Sequence, residues 1–139
     1  MLRVQEEEEE EEEEEKVPAI LGAAHVGLTV RDMDASAQWY QTVFGWNVVG
    51  RFVSGERGTP RVLLYDPTSL FALSLCEPED RSADSFDYRR TGLDHLAFEV
   101  ADEEQLDHWV EHLDRLSVAH SPVRDVGDVA KFVAFDDPD

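Results

Sequence analysis

The chain carries one short passage twice, and any fold proposed for it must place the two copies equivalently. Gly22–Val30 reads Gly-Ala-Ala-His-Val-Gly-Leu-Thr-Val, and Gly92–Val100 reads Gly-Leu-Asp-His-Leu-Ala-Phe-Glu-Val. At a constant offset of 70, Gly22 matches Gly92, His25 matches His95 and Val30 matches Val100. Asp32 matches Asp102 and Trp39 matches Trp109 in the same register. Five matches in one register mark an internal repeat. Each copy alternates with period two, the signature of a half-buried strand. Val26, Leu28 and Val30 share one face, and Leu96, Phe98 and Val100 are their counterparts. The opposite face carries His25, Gly27 and Thr29 in one copy, and His95, Ala97 and Glu99 in the other. Each repeat thus predicts a strand with an apolar back and a histidine on its front, and the two fronts are expected to share a cavity.

The elements after each copy follow one order. Asp32 is placed to cap a helix with apolar positions Met33, Ala37, Trp39, Tyr40, Val43 and Phe44, and Gly45 supplies its stop. Trp46–Val53 reads as a strand, Ser54–Pro60 as a loop, and Arg61–Tyr65 and Leu70–Cys76 as two further strands. The turn-rich stretch Glu77–Thr91 links the repeats. In the second copy Asp102 and Gln105 suggest a capping box for a helix with Leu106, Trp109, Val110, Leu113 and Leu116 on its apolar side. A weak strand around His120–Val126 then leads to one over Lys131–Phe135. Val62–Pro67 matches Val133–Pro138, now offset by 71. The counterpart of Leu70–Cys76 would begin at the last residue, Asp139, so the final strand of the second copy is expected to be absent from this chain. The bare edge on Lys131–Phe135 is then expected to recruit a second chain, giving a homodimer or aggregate.

Charge and composition narrow the function. Glu6–Glu15 is an unbroken run of ten glutamates, which repels itself and cannot bury apolar surface. Residues 1–16 are therefore expected to form a disordered tail, and 17–139 a single domain: module one about 20–77, a linker about 77–91, module two about 92–139. The run supplies half of the net charge of −20, leaving −10 for the rest of the chain and an acidic body. Such a body argues against nucleic acid, whose binding rests on Lys and Arg meeting phosphates. No apolar run approaches the ~20 residues that span a bilayer, and residues 1–16 have no apolar core of a secretory signal. Cys76 is the only cysteine, which excludes an internal disulfide and fits a reducing cytoplasm.

Three groups of residues invite a chemical reading. His25 and His95 occupy the same repeat position on a polar face, so pseudo-twofold packing would bring the imidazoles together. Two neutral imidazoles and a carboxylate make a divalent-metal site with open positions for substrate. His108-Trp109-Val110-Glu111-His112 has the letters of a zinc-protease string. On a helical wheel, however, His108 and Glu111 point away from the apolar stripe and His112 lies at its flank, so a solvated helix face is expected. Arg89 and Arg90 could meet an anionic substrate, but in an acidic linker they read as local charge balance.

The chain resembles the vicinal oxygen chelate superfamily of glyoxalase I, fosfomycin-resistance, bleomycin-resistance and extradiol dioxygenase proteins. The resemblance rests on His25 and its strand, Asp32 leading a helix with Trp39-Tyr40, Phe44-Gly45-Trp46, Gly92–Phe98, and Phe135–Asp139. It covers Gly22–Asp139. It implies an α+β fold of two tandem βαβββ modules with pseudo-twofold symmetry, forming a cup around a divalent metal (Fe, Mn, Zn or Ni). His25 and His95 would be metal ligands, with Thr29, Ser74 and Glu99 lining the cup. Glyoxalase I has a glutamate where this chain has Ser74, which favours a His-His-Glu ligand set whose carboxylate is expected beyond Asp139. The function implied is a metal-dependent enzyme acting on a small oxygenated molecule by Lewis-acid chelation. The alternatives are a metal-free ligand-sequestering protein of the bleomycin-resistance kind, and an inactive truncated fragment.

Overall fold

Strand β1 (His25–Thr29) runs directly into helix α1 (Met33–Phe44), and local chemistry sets both ends of that helix. Asp32 Oδ1 accepts the Ala35 N–H at 2.9 Å, satisfying one of the free donors of the first turn. Gly45 closes the helix in the left-handed region, φ 70°, and its N–H returns to the Gln41 carbonyl. A side chain there would be strained, so glycine is the residue that allows the stop. The structure, a computed structural model, describes residues 17–139; the polyglutamate tail expected over 1–16 lies outside them.

Strands β2 (Asn47–Ser54), β3 (Thr59–Asp66) and β4 (Phe71–Cys76) form an antiparallel meander, and β1 joins its far edge parallel to β4. The sheet order is β1-β4-β3-β2. Between β3 and β4 the Asp66 carboxylate accepts the N–H groups of Thr68 and Ser69 and the Ser69 hydroxyl, which holds its pKa below the usual range.

Alternation along these strands gives the sheet two unlike faces. The back presents Val30, Val62, Leu64, Leu73 and Leu75, all buried, to Ala37, Tyr40 and Trp46. Burying each of the larger aliphatic side chains stabilises by roughly 1.5–3 kcal/mol, so this cluster holds the first half together.

The second half has the expected helix but not the expected strands. Helix α2 (Glu103–Arg115) is capped by Asp102, whose Oδ1 accepts the Gln105 N–H at 2.9 Å. It buries Leu106 and Leu113. Gly92–Val100, expected as a strand, makes no ladder. In the first half, β1 has one ladder partner, β4. The described residues contain no second-half counterpart of β4, so the same pattern has nothing to pair with. The expected strands over His120–Val126 and Lys131–Phe135 shrink to β5 (Arg124–Asp125), β6 (Lys131–Phe132) and a bridge between His120 and Phe135.

What holds the second half in place is an aromatic seam and a carboxylate clasp, both on the helical side of the sheet. Phe98 lies 5.1–5.6 Å, centroid to centroid, from Phe44, Trp46 and Phe71. Trp109 and Phe135 also reach Phe44. Tyr40 donates its hydroxyl to Asp137 at 2.7 Å, and Ser36 donates to Asp139 at 3.0 Å. Arg31 Nε meets Asp139 at 3.1 Å. Burial, and then the Asp137 carboxylate, push the Tyr40 phenol far above its ordinary pKa, so it stays a donor. Among the described residues no helix is long and apolar enough to cross a membrane.

Candidate functional site

Residues aligned across the sheet share a face, so the front can be read row by row from the strand register. One row is His25, Ala72, Tyr65 and Asn47. The next is Gly27, Ser74, Leu63 and Gly50, and the third is Thr29, Cys76, Arg61 and Phe52. The front of the first half therefore gathers an imidazole, two hydroxyls, a thiol, a phenol and a guanidinium. His25 and Thr29 are exposed, while Ser74 and Cys76 are buried at the centre of the sheet. Thr29 Oγ1 and Cys76 Sγ share a hydrogen bond of 3.3 Å.

Of the residues singled out in the sequence, three are thus placed on one surface: His25, Thr29 and Ser74. His95 and Glu99 lie on the exposed, unpaired stretch Gly92–Val100. Phe98 between them turns inward to the aromatic seam, which leaves its sequence neighbours Ala97 and Glu99 outside it. The His95 Nδ1–H donates to the adjacent Asp94 carboxylate at 2.8 Å. Among the described residues no group of three or more His, Cys, Asp or Glu is assembled to hold a metal.

Two sequence motifs resolve as structural. His112 Nε2–H donates to the Val43 carbonyl at 2.8 Å, tying α2 to α1, while His108 and Glu111 are exposed. A groove of about 310 Å³ lies beside them between the two helices, away from the front face. Arg89 pairs with Asp87 at 2.8 Å and Arg90 with Asp84 at 3.2 Å, the local charge balance expected in the linker.

Arg61 is the front-face residue that the sequence reading passed over. Its side chain folds across β4 toward β1, and Nη1 lies 3.9 Å from where a Cβ on Gly27 would sit. Its Nε is buried with no hydrogen-bond partner. A signal was present in the sequence: Arg61, Leu63 and Tyr65 alternate on the face opposite Val62 and Leu64, which puts a charge on the front.

The fold and the sequence pattern agree with known proteins. The sequence profile of the Glyoxalase/Bleomycin resistance protein/Dioxygenase superfamily matches residues 22–139. No curated protein matches the chain. Among solved structures, a glyoxylase/bleomycin resistance protein/dioxygenase domain from Frankia sp. EAN1pec is 33% identical, with a TM-score of 0.75 over 87% of this chain and 92% of that one. A lactoylglutathione lyase from Agrobacterium tumefaciens shares the fold at 20% identity, TM-score 0.64, over 87% and 89% of the two chains. The fosfomycin resistance protein FosX from Listeria monocytogenes, in complex with Mn(II) and 1S,2S-dihydroxypropylphosphonic acid, shares it at 23% identity, TM-score 0.58, over 86% of each. With the profile spanning both copies of the repeat, this chain belongs to the Glyoxalase/Bleomycin resistance protein/Dioxygenase superfamily.

Proposed function

We propose that the chain is a metal-dependent enzyme acting on a small oxygenated molecule, with His25 and His95 as two ligands of one divalent ion (Fe, Mn, Zn or Ni). The observation that carries this reading is the exposure of the two imidazoles. His95 bonds Asp94 through Nδ1 at 2.8 Å, so Nε2 is the ring nitrogen that would meet a metal. A carboxylate behind a histidine is the usual orienting arrangement for a metal ligand. His25, at the equivalent repeat position, stands exposed on the front of β1. The Mn(II) in the FosX structure supports the same reading for a shared fold.

The donor set fits such an ion in part, because two imidazoles need a carboxylate to complete them. Glu99, four residues after His95, is the carboxylate of the chain that could complete them. A divalent ion here would supply Lewis-acid polarisation of substrate oxygens. The chain's own part is to orient the substrate: the Thr29 and Ser74 hydroxyls and the Arg61 guanidinium border the surface on which it would lie. The homodimer expected at Lys131–Phe135 belongs to the same proposal, now resting on the short strand β6 and the exposed Phe132.

The test is metal content after dialysis against Mn²⁺ or Zn²⁺. A weakly held ion is expected, approaching one per chain at high metal concentration, with His25→Ala and His95→Ala each abolishing it and His108→Ala/His112→Ala leaving it unchanged. Stoichiometric metal in the His25→Ala/His95→Ala double variant overturns the assignment. A chain that takes up no ion but binds small ligands would be the sequestering protein instead.

A further inference from the structure

Arg61 stands apart from the other cations among the described residues. Arg31, Arg51, Arg81, Arg89, Arg90 and Lys131 each meet a carboxylate. Arg57, Arg115 and Arg124 do not, and all three are exposed to water. Among the described residues Arg61 is the one half-buried arginine without a carboxylate partner. Its Nε has lost its water and gained no acceptor. Desolvating a charged donor without a partner is unfavourable, and the fork geometry of guanidinium suits an oxyanion.

Its position gives that vacancy a meaning. Nη1 reaches Gly27, lying 3.9 Å from where a Cβ would sit, and glycine places no side chain beside it. Gly27 is two residues from His25 on the same face, roughly 7 Å at ~3.3 Å per residue. The neighbouring groups on the front are neutral: Ser74, Cys76, Thr29 and Leu63. Residues 17–139 carry a net charge of −12, so a cation without a carboxylate on this surface is a local exception.

We propose that Arg61 binds an oxyanion on the ligand of the front face, a phosphonate, phosphate or carboxylate group, placed so that the rest of the ligand extends toward His25. This names a substrate class, a small anionic oxygenated molecule, and rests on the proposed function only for the direction in which the ligand extends. The anion contact itself needs no metal.

The test uses the full chain in excess chelator, with methylphosphonate and glycolate as probes, followed by calorimetry and by amide chemical shifts of β1 and β4. At least one probe should bind, and Arg61→Gln should weaken it tenfold or more while Arg61→Lys loses less. The probe that binds separates phosphonate from carboxylate recognition. Gly27→Asp supplies a second variant: a carboxylate beside Nη1 should satisfy the guanidinium from within, raise the melting temperature and abolish probe binding. Equal binding by the wild type and either Arg61→Gln or Gly27→Asp overturns the proposal, as does the absence of binding by both probes. Mn²⁺ uptake should be the same in Arg61→Gln as in the wild type, so loss of the anion site and failure of the metal assignment read out separately.

Discussion

Strand β4 has β1 on one side and β3 on the other, whereas Gly92–Val100, the repeat of β1, has no strand paired to it. Both stretches alternate apolar and polar residues in the same register. In β1 the apolar side, Val26, Leu28 and Val30, joins the core cluster. In the second copy Leu96 and Phe98 remain about 40% exposed. Side-chain pattern says which way a strand will face, but the backbone becomes a strand only when another backbone meets its N–H and C=O groups. The first half is therefore stabilised by its own sheet. The second half is stabilised by what it borrows from α1 and the residues around it: the Phe98 seam, the Asp137 and Asp139 clasp, and the His112–Val43 tie.

The sharpest way to break this comparison is to truncate equivalent apolar positions. Leu73→Ala, in a fully buried site, should destabilise the chain by about 2–5 kcal/mol. Leu96→Ala, half exposed, should cost less than about 1 kcal/mol. Urea denaturation measures both, and equal losses would mean that the two halves share one core. Next in size is the clasp. Tyr40→Phe removes a hydrogen bond to a carboxylate, worth about 1.5–3 kcal/mol, and should raise amide exchange in residues 92–139 before β3 and β4 are affected. Uniform exchange across the chain would show that the clasp does not hold the second half separately.

The smallest expected effect is one of pH. His120 gives Nδ1 to the Ser121 carbonyl at 2.7 Å and Nε2 to Asp114 at 2.9 Å, so the imidazolium is favoured and its pKa is raised, chiefly by Ser121 and then by Asp114. A raised folded pKa contributes stability that is complete below the unfolded value of about 6.5 and is lost as pH climbs through the folded value. Amide protection near the His120–Phe135 bridge should therefore decline from pH 6 to pH 8 relative to the core, and His120→Gln should flatten that slope. An identical slope in the variant would remove the histidine from the account.

The parts of the fold that were legible in the sequence are those with local causes. Asp32 and Gly45 bracket α1 because a cap and a left-handed stop each act within one turn. Asp102 does the same for α2. The pairing of Gly92–Val100 was not legible in the same way, since it depends on a partner strand elsewhere rather than on its own residues. The candidate site divides along the same line. His25 and Thr29 could be placed on one face from period two alone, whereas Ser74 joins them only through the pairing of β1 with β4. That Arg61 would lie over Gly27 with its Nε unpaired follows only from how β1, β3 and β4 are ordered. The His112 contact with Val43 likewise joins residues that no spacing rule connects.

The parallel pairing of β1 with β4 also has a consequence in time. The meander of β2, β3 and β4 is built from contacts between consecutive strands, but the bond from Thr29 to Cys76 spans 47 residues. Contacts so distant along the chain require a large loop to close first, which slows them relative to local hairpins. Synthesis makes β1 before any of its neighbours, yet β1 can be stitched into the sheet only after Cys76 has been added. Through that interval Val26, Leu28 and Val30 have no sheet edge to dock on, and the helix that follows them is the first surface within reach. His25 is thus made early and fixed late, so the front face acquires its histidine only as the last seam of the sheet closes.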